Sequence, residues 1–144
     1  MQPDKVDWQI IELLSEQFDT NTVIAKKLNV SEGMIRQRIK KLQDAGIVKI
    51  RALRNPEVLE NQQLAIVTAN ISESKLLDKK AKEILNLKNV LSVSILSGQF
   101  DLLIEVLVDS NKGLINFLTD QLSKVEGISR TETFLTLKSY NKWI

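Results

Sequence analysis

Residues Asn29–Leu53 read NVSEGMIRQRIKKLQDAGIVKIRAL, and this stretch decides the fold. Ser31 suits a helix N-cap, because its hydroxyl can accept from an amide of the first turn. From Glu32 onward, Ile35, Ile39 and Leu42 recur at helical spacing, with Met34 to one side. Gly46 follows where a left-handed C-cap favours glycine, so the pattern predicts a helix running to Ala45. IVKIRAL (Ile47–Leu53) then has the β-branched content of a strand.

Just upstream, TVIAKKL (Thr22–Leu28) predicts a short helix capped by Thr20 or Asn21, with Val23, Ile24 and Leu28 inward. Before it, Val6, Ile10, Leu13 and Leu14 mark a helix from Asp4 to about Gln17. Asp4 or Asp7 stands near its start, where an acid suits the helix dipole. Two short helices joined by a tight turn, the second Ser-capped and basic on its outer face, form a helix-turn-helix. The strand after them reads as a wing.

The charge is local. Residues 1–25 carry net −4, residues 26–54 net +7 and residues 55–144 net −1, within a total of +2. A basic patch of this kind is the footprint of an anionic partner, usually nucleic acid. The alternative is a solvated helix face with paired charges, and pairing needs acids three or four positions away. Only Glu32 and Asp44 are available on this helix.

On the helix that starts at Glu32, Arg36, Gln37, Lys40, Lys41 and Gly33 lie away from the apolar face, flanked by Glu32 and Arg38. The N-terminal part of a recognition helix meets base edges in the major groove of double-stranded DNA. Arg36 and Gln37 are therefore the candidates for base contact, through guanine and adenine edges respectively. Ser31, Arg38, Lys40, Lys41 and Arg51 are candidates for phosphate, and Lys26 and Lys27 can reach the backbone too. Gly33 has no side chain near the start of the helix, which either admits a sugar-phosphate closely or reflects a tolerant first turn.

The second half begins after the turn signal Asn55-Pro56 and a polar linker. The domains expected are 1–54 for the winged helix-turn-helix, 55–62 for the linker and 63–144 for the rest. Within the last, QLAIVTANI (Gln63–Ile71) predicts a strand and ESKLLDKKAKEILN an amphipathic helix with Leu76, Leu77, Ala81, Ile84 and Leu85 on one side. NVLSVSIL predicts a strand with Leu91, Val93 and Ile95 on one face. DLLIEVLV is a strand with Leu102, Ile104, Val106 and Val108 on one face and Leu103, Glu105 and Leu107 on the other. NKGLINFLTDQLSKV, capped by Asp109 or Ser110, predicts a helix, and ISRTETFLTLKSY a last strand. The order β-α-β-β-α-β is that of a ferredoxin-like unit, so the fold class is α+β. Two helices cover only one face of such a sheet, and the apolar content of DLLIEVLV predicts that a second copy covers the other, as a homodimer.

With neither cysteine nor histidine, thiolate chemistry and the commonest metal ligand and general base are excluded. No Gly-rich phosphate loop is present, so neither an enzyme nor a cofactor is expected. The apolar runs are too short to span a bilayer, and the acidic N-terminus does not read as a signal peptide, so a cytoplasmic protein is expected.

Three motifs carry a resemblance. DWQIIELL resembles a D-x-x-I-[LI]-x-x-L start. IAKKLNVSEGMIRQRIKKLQDAGIV is similar to A-x-x-L-x-[LV]-S, R-[IV]-x-x-L and G-[IV]-[IV] in order. SGQFDLLIEV resembles G-x-[YF]-D followed by an apolar strand. Together they resemble the Lrp/AsnC, or feast/famine, family of transcription regulators over roughly Asp4 to Thr136. Lys49-Ile50-Arg51 departs from the Gly-aromatic that often follows in the family, and Phe100 stands where tyrosine is commoner. The resemblance implies a DNA-binding domain joined to a dimerising, effector-binding domain, with dimers of dimers or an octamer beyond the dimer. It implies that the SGQFD turn lines an amino-acid site at a subunit interface. Backbone amides at Gly98 and Gln99, beside Phe100, would take the carboxylate and Asp101 the ammonium, with Asp120, Gln121, Thr133 and Thr136 setting side-chain preference. The bland reading of SGQFD is an ordinary β-turn in which Asp accepts local amides. An architectural DNA-binding protein without effector is the alternative function.

Overall fold

Asp4 and Asp7 start the first helix by capping each other. The amide of Asp7 donates to Asp4 Oδ1 at 2.9 Å, and the amide of Asp4 to Asp7 Oδ2 at 3.0 Å, which satisfies two amides that helix geometry leaves without partners. In the computed structural model, which describes residues 1–144, this helix is α1, Lys5–Gln17. Thr20 caps α2, Asn21–Leu28, and Ser31 caps α3, Glu32–Asp44, through the amide of Met34 at 3.2 Å. The turn between α2 and α3 closes because Asn29 adopts a left-handed conformation, φ 53°. Ile10, Ile24, Ala25, Ile35 and Ile39 form the core of this unit. It spans Met1–Ala52, and a second unit spans Leu53–Ile144.

The wing segment is corrected in one respect: Ile47–Leu53 contains no strand. The amides of Ile47 and Val48 both donate to Leu42 O, at 2.9 and 3.3 Å, which draws the segment onto the end of α3. Gly46, at φ 69°, makes that reversal possible. A strand also needs a neighbour to pair with, and beyond it only Arg54 finds one: its amide and carbonyl exchange hydrogen bonds with Ile144, at 2.7 and 3.0 Å.

The second unit is a four-stranded antiparallel sheet in the order β2-β3-β1-β4. The strands are β1, Gln63–Ile71; β2, Val90–Ile95; β3, Leu102–Val108; and β4, Ile128–Leu135. The helices between them are α4, Leu77–Leu85, and α5, Ser110–Asn116. Leu102, Ile104, Val106 and Val108 alternate with half-buried Leu103, Glu105 and Leu107, and the first set joins Val67, Ala69, Ile84 and Phe117 in the core under the helices.

Several expectations shift. A 3-10 turn, Ser74–Leu76, precedes α4, and Leu85 is exposed. In β2 a register shift between Val90 and Ser92 turns Val90 and Val93 to the core and leaves Leu91 exposed, because a bulge breaks the period-two alternation. The helix expected over NKGLINFLTDQLSKV changes to a π segment at Phe117–Gln121 and a 3-10 turn at Leu122–Lys124. Thr119 and Ser123 hydroxyls donate to the carbonyls of Ile115 and Thr119, at 2.8 and 2.5 Å, a back-bonding that bends helices. Neither Asp109 nor Ser110 caps α5 with a side chain: Asp109 makes no such bond, and Ser110 is itself left-handed, φ 69°. β4 stops at Leu135, although the amide of Thr136 still donates to Leu64 O at 3.0 Å near the start of β1.

Candidate nucleic-acid interface and effector turn

On α3, Ile35, Ile39 and Leu42 are buried, so Gly33, Gln37 and Lys40 point outward, with Arg36 on one flank and Lys41 on the other. Arg36 Nη2 donates to Glu32 Oε1 at 2.6 Å, one helical turn back, and its side chain is 69% exposed. Glu32 also accepts from Thr22 Oγ1 at 3.0 Å, which ties α3 to α2. Arg36 and Thr22 together hold the Glu32 carboxyl below its ordinary range. Glu32 is thus a link between helices as much as a surface acid. The Arg36 bond is solvent-exposed and worth little, so it is readily exchanged for another partner.

One of the expected phosphate candidates, Arg38, is engaged within the chain. Arg38 Nη1 donates to Asp4 and to Asp7, each at 2.8 Å, and its side chain is 25% exposed. Arg51 is exposed and borders a cavity of about 320 Å³ beside Ile11, Leu14 and Phe18. Lys27 is paired with Asp19 at 2.6 Å. Lys26, Lys40, Lys41 and Lys49 are exposed and make no ion pair. A carbon at the Cβ position of Gly33 would meet nothing within 4 Å, so packing inside the chain does not require glycine there.

The SGQFD turn joins β2 to β3. Gly98 has φ 155°, a conformation that side chains rarely adopt. Asp101 is tied to β1: its amide donates to Asn70 Oδ1 at 3.0 Å and to Ala69 O at 3.1 Å, and its Oδ2 accepts from the Ile71 amide at 2.8 Å. Oδ1 of the carboxylate accepts no hydrogen bond within the chain. Phe100 lies under the Arg130 guanidinium, 5.4 Å from its ring centroid, while Arg130 also bonds Glu132 at 2.6 Å. Arg130 stands opposite Asn70 in the sheet. Asn70 and Arg130 are therefore neighbours of the turn that sequence reasoning missed. Their signal lies in the β1–β4 register, which no local motif records.

The other expected effector residues are not gathered at the turn within one chain. Thr136 pairs with Leu64, and Leu64 and Asn70 lie roughly 20 Å apart along β1 at about 3.3 Å per residue. Thr133 faces the helix side, opposite Val67. Asp120 pairs with Lys124 at 2.9 Å, and Gln121 ends the π segment. A cavity of about 300 Å³ between that segment and β4 has Leu118, Leu122, Val125 and Ile128 as its apolar lining and Ser123, Ser129, Arg130 and Thr131 as its polar lining.

On the open face of the sheet, Ser92 Oγ donates to Glu105 Oε2 at 2.6 Å and Lys142 donates to Glu105 Oε1. Burial acts to raise the Glu105 carboxyl, but Lys142 and Ser92 outweigh it and hold it below the ordinary glutamate range. Phe134, Leu135, Leu137, Tyr140 and Trp143 are large apolar side chains left exposed on β4 and the segment after it.

Residues 64–142 match the family model of the Lrp/AsnC ligand binding domain, and residues 3–49 match that of a winged helix-turn-helix DNA-binding domain. An HTH-type transcriptional regulator of Pyrococcus furiosus is 34% identical over 142 residues, covering 97% of this chain and 95% of its own. The HTH-type transcriptional regulator LysM of Saccharolobus solfataricus is 31% identical over 138 residues, covering 95% of each. The crystal structure of a Neisseria meningitidis transcriptional regulator in complex with L-Met superposes with a TM-score of 0.73 at 26% identity, over 98% of this chain and 94% of that one. No helix here is long and apolar enough to cross a membrane.

Proposed function

Because the chain belongs to the Lrp/AsnC family of transcriptional regulators, we propose that it binds specific double-stranded DNA sites and changes that binding when an amino acid or related small effector occupies its second unit. The observation that carries the DNA-binding half is the outer strip of α3. It places Gln37 and Lys40 outward beside exposed Arg36 and Lys41, more bases than the helix has acids to pair them. Arg36 and Gln37 read base edges, and Lys40, Lys41 and Lys26 hold phosphate.

The effector half rests on the relative crystallised with L-Met and on the SGQFD turn, whose amides and remaining Asp101 oxygen suit a carboxylate and an ammonium. Asp120, Gln121, Thr133 and Thr136 are dispersed in one chain, so their part in the site requires residues of other subunits. A homodimer through the open sheet face, and dimers of dimers or an octamer beyond it, supply such interfaces. The exposed apolar side chains of β4 and the following segment support that assembly. The bonded Asp101 carboxylate favours a second reading, an architectural DNA-binding protein without effector.

The test is selection of binding sites from randomised duplexes, followed by competition with random DNA, with and without each standard amino acid. A regulator prefers its selected site by orders of magnitude. Equal affinity for all duplexes would leave the architectural reading, and an amino-acid response would exclude it.

A further inference from the structure

Arg38 follows Gln37 on α3, yet it does not join the outward strip. Its guanidinium lies between α3 and the start of α1, with Nη1 bonded to Asp4 Oδ2 and Asp7 Oδ1, each at 2.8 Å. The Asp7 side chain is only 4% exposed. A carboxylate that deep needs a charged hydrogen-bonding partner, since an unpaired buried charge is costly. Asp4 and Asp7 already cap each other's backbone, so three side chains form one network that joins the first turn of α1 to the middle of α3. The two acids raise the Arg38 pKa further, and its charge is committed to them.

We propose that Arg38 is a positioning residue for base recognition and not a phosphate contact: held by Asp4 and Asp7, it fixes the rotation of α3 about its own axis and so aims Arg36 and Gln37. The inference rests on the reading that α3 enters the major groove. Its physical basis is leverage. A rotation of about 20° carries a side-chain tip roughly 6 Å from the helix axis through about 2 Å. Bidentate base contacts tolerate far less than that. The apolar face of α3 is made of Ile35, Ile39 and Leu42, side chains that can slide past their neighbours, whereas the Arg38 bonds hold one angle.

The test uses the full chain and the duplex that the wild type selects from a randomised library. Affinity for that duplex and for a random one is measured against salt concentration. For Arg38→Met the salt slope should stay at the wild-type value, while preference for the selected duplex falls about tenfold or more. A phosphate contact would give the reverse, a slope smaller by about one unit with preference intact. That outcome overturns the proposal, and so does a variant that changes neither quantity. Asp7→Asn should also lose preference at constant slope. Tighter binding to both duplexes with a steeper slope would mean an arginine released to phosphate, and would overturn it too. If Arg38→Met does not fold, Asp7→Leu with Arg38→Met replaces the pair by apolar side chains. Its salt slope then decides: unchanged supports the proposal, and a drop of about one unit overturns it. If the wild type itself binds no duplex, the DNA-binding reading fails and takes this inference with it. A wild type that binds, with a slope lost in the variants, removes this inference alone.

Discussion

The backbone amide of Ile71 donates to Oδ2 of Asp101 across 2.8 Å, where β1 shifts register between Asn70 and Ile71. The Asp101 carboxylate therefore serves the fold whether or not a ligand is bound. Asp101→Ala leaves that half-buried amide without its acceptor and should lower stability by about 1–2 kcal/mol, read as a lower melting temperature in the absence of any amino acid. Asp101→Asn keeps an acceptor and should melt close to the wild type. Loss of an amino-acid response in the Asn variant would then report the charge and not the fold.

Gly33→Ala should move two quantities in opposite directions. Nothing lies within 4 Å of the added carbon, and alanine is favoured over glycine inside a helix by up to about 1 kcal/mol. The melting temperature should rise. DNA affinity should fall on every sequence, because the methyl group enters space that a sugar-phosphate approaches. A variant that is more stable and binds DNA as before would show that nothing approaches Gly33.

Arg36→Ala removes an exposed ion pair with Glu32, so the melting temperature should barely change. Affinity for the selected duplex should fall by about 1–3 kcal/mol, with preference relaxed at one base position. Lys40→Ala should weaken all duplexes alike and reduce the salt slope by about one unit. Binding titrations on single-base variants of the duplex distinguish the two. Unchanged base preference in Arg36→Ala would remove Arg36 from the groove.

Acid should weaken the second unit through Glu105. Its pKa in the folded chain lies below the reference value of 4.5, so its contribution is fully present above the unfolded value and is lost as pH falls through the folded one. From about pH 6 down to about pH 3.5, the melting temperature of the wild type should fall more steeply than that of Glu105→Gln. Parallel curves would show that the Lys142 and Ser92 bonds do not discriminate between the charged and neutral carboxyl.

Phe134→Asp, or Leu103→Asp, places a charge on the open face of the sheet. Light scattering of the full chain should show the mass fall to that of a single chain, while circular dichroism shows helices and strands retained. A wild type that already has the mass of a single chain would refute the dimer.

Elements whose period and caps are local were legible in the sequence. Thr20, Ser31 and Gly46 marked the helix-turn-helix ends, and the limits of β1 at Gln63 and Ile71 followed from β-branched content between polar turns. What remained hidden depends on partners distant in sequence. Arg38 has the spacing of a flank residue, and nothing around it names Asp7, 31 positions earlier. Leu91 has the alternation of a core residue, which one bulge reverses. IVKIRAL has the residues of a strand and, in this chain, almost nothing to pair with. At the effector turn, SGQFD was visible as a motif, but Asn70 and Arg130 reach it only through the ladder between β1 and β4.

The position of β1 in the middle of the sheet also sets an order of events during synthesis. Its two neighbours are Leu102–Val108 and Ile128–Leu135, so both of its edges wait on residues made much later. The contacts of Met1–Ala52, by contrast, are all within a short span of chain and can form as soon as that span leaves the ribosome. A nascent chain therefore carries a folded helical unit, able to meet nucleic acid, while the sheet behind it is still an unpaired strand. Any product truncated between Val108 and Ile128 would leave one side of β1 open to pair with whatever strand it meets.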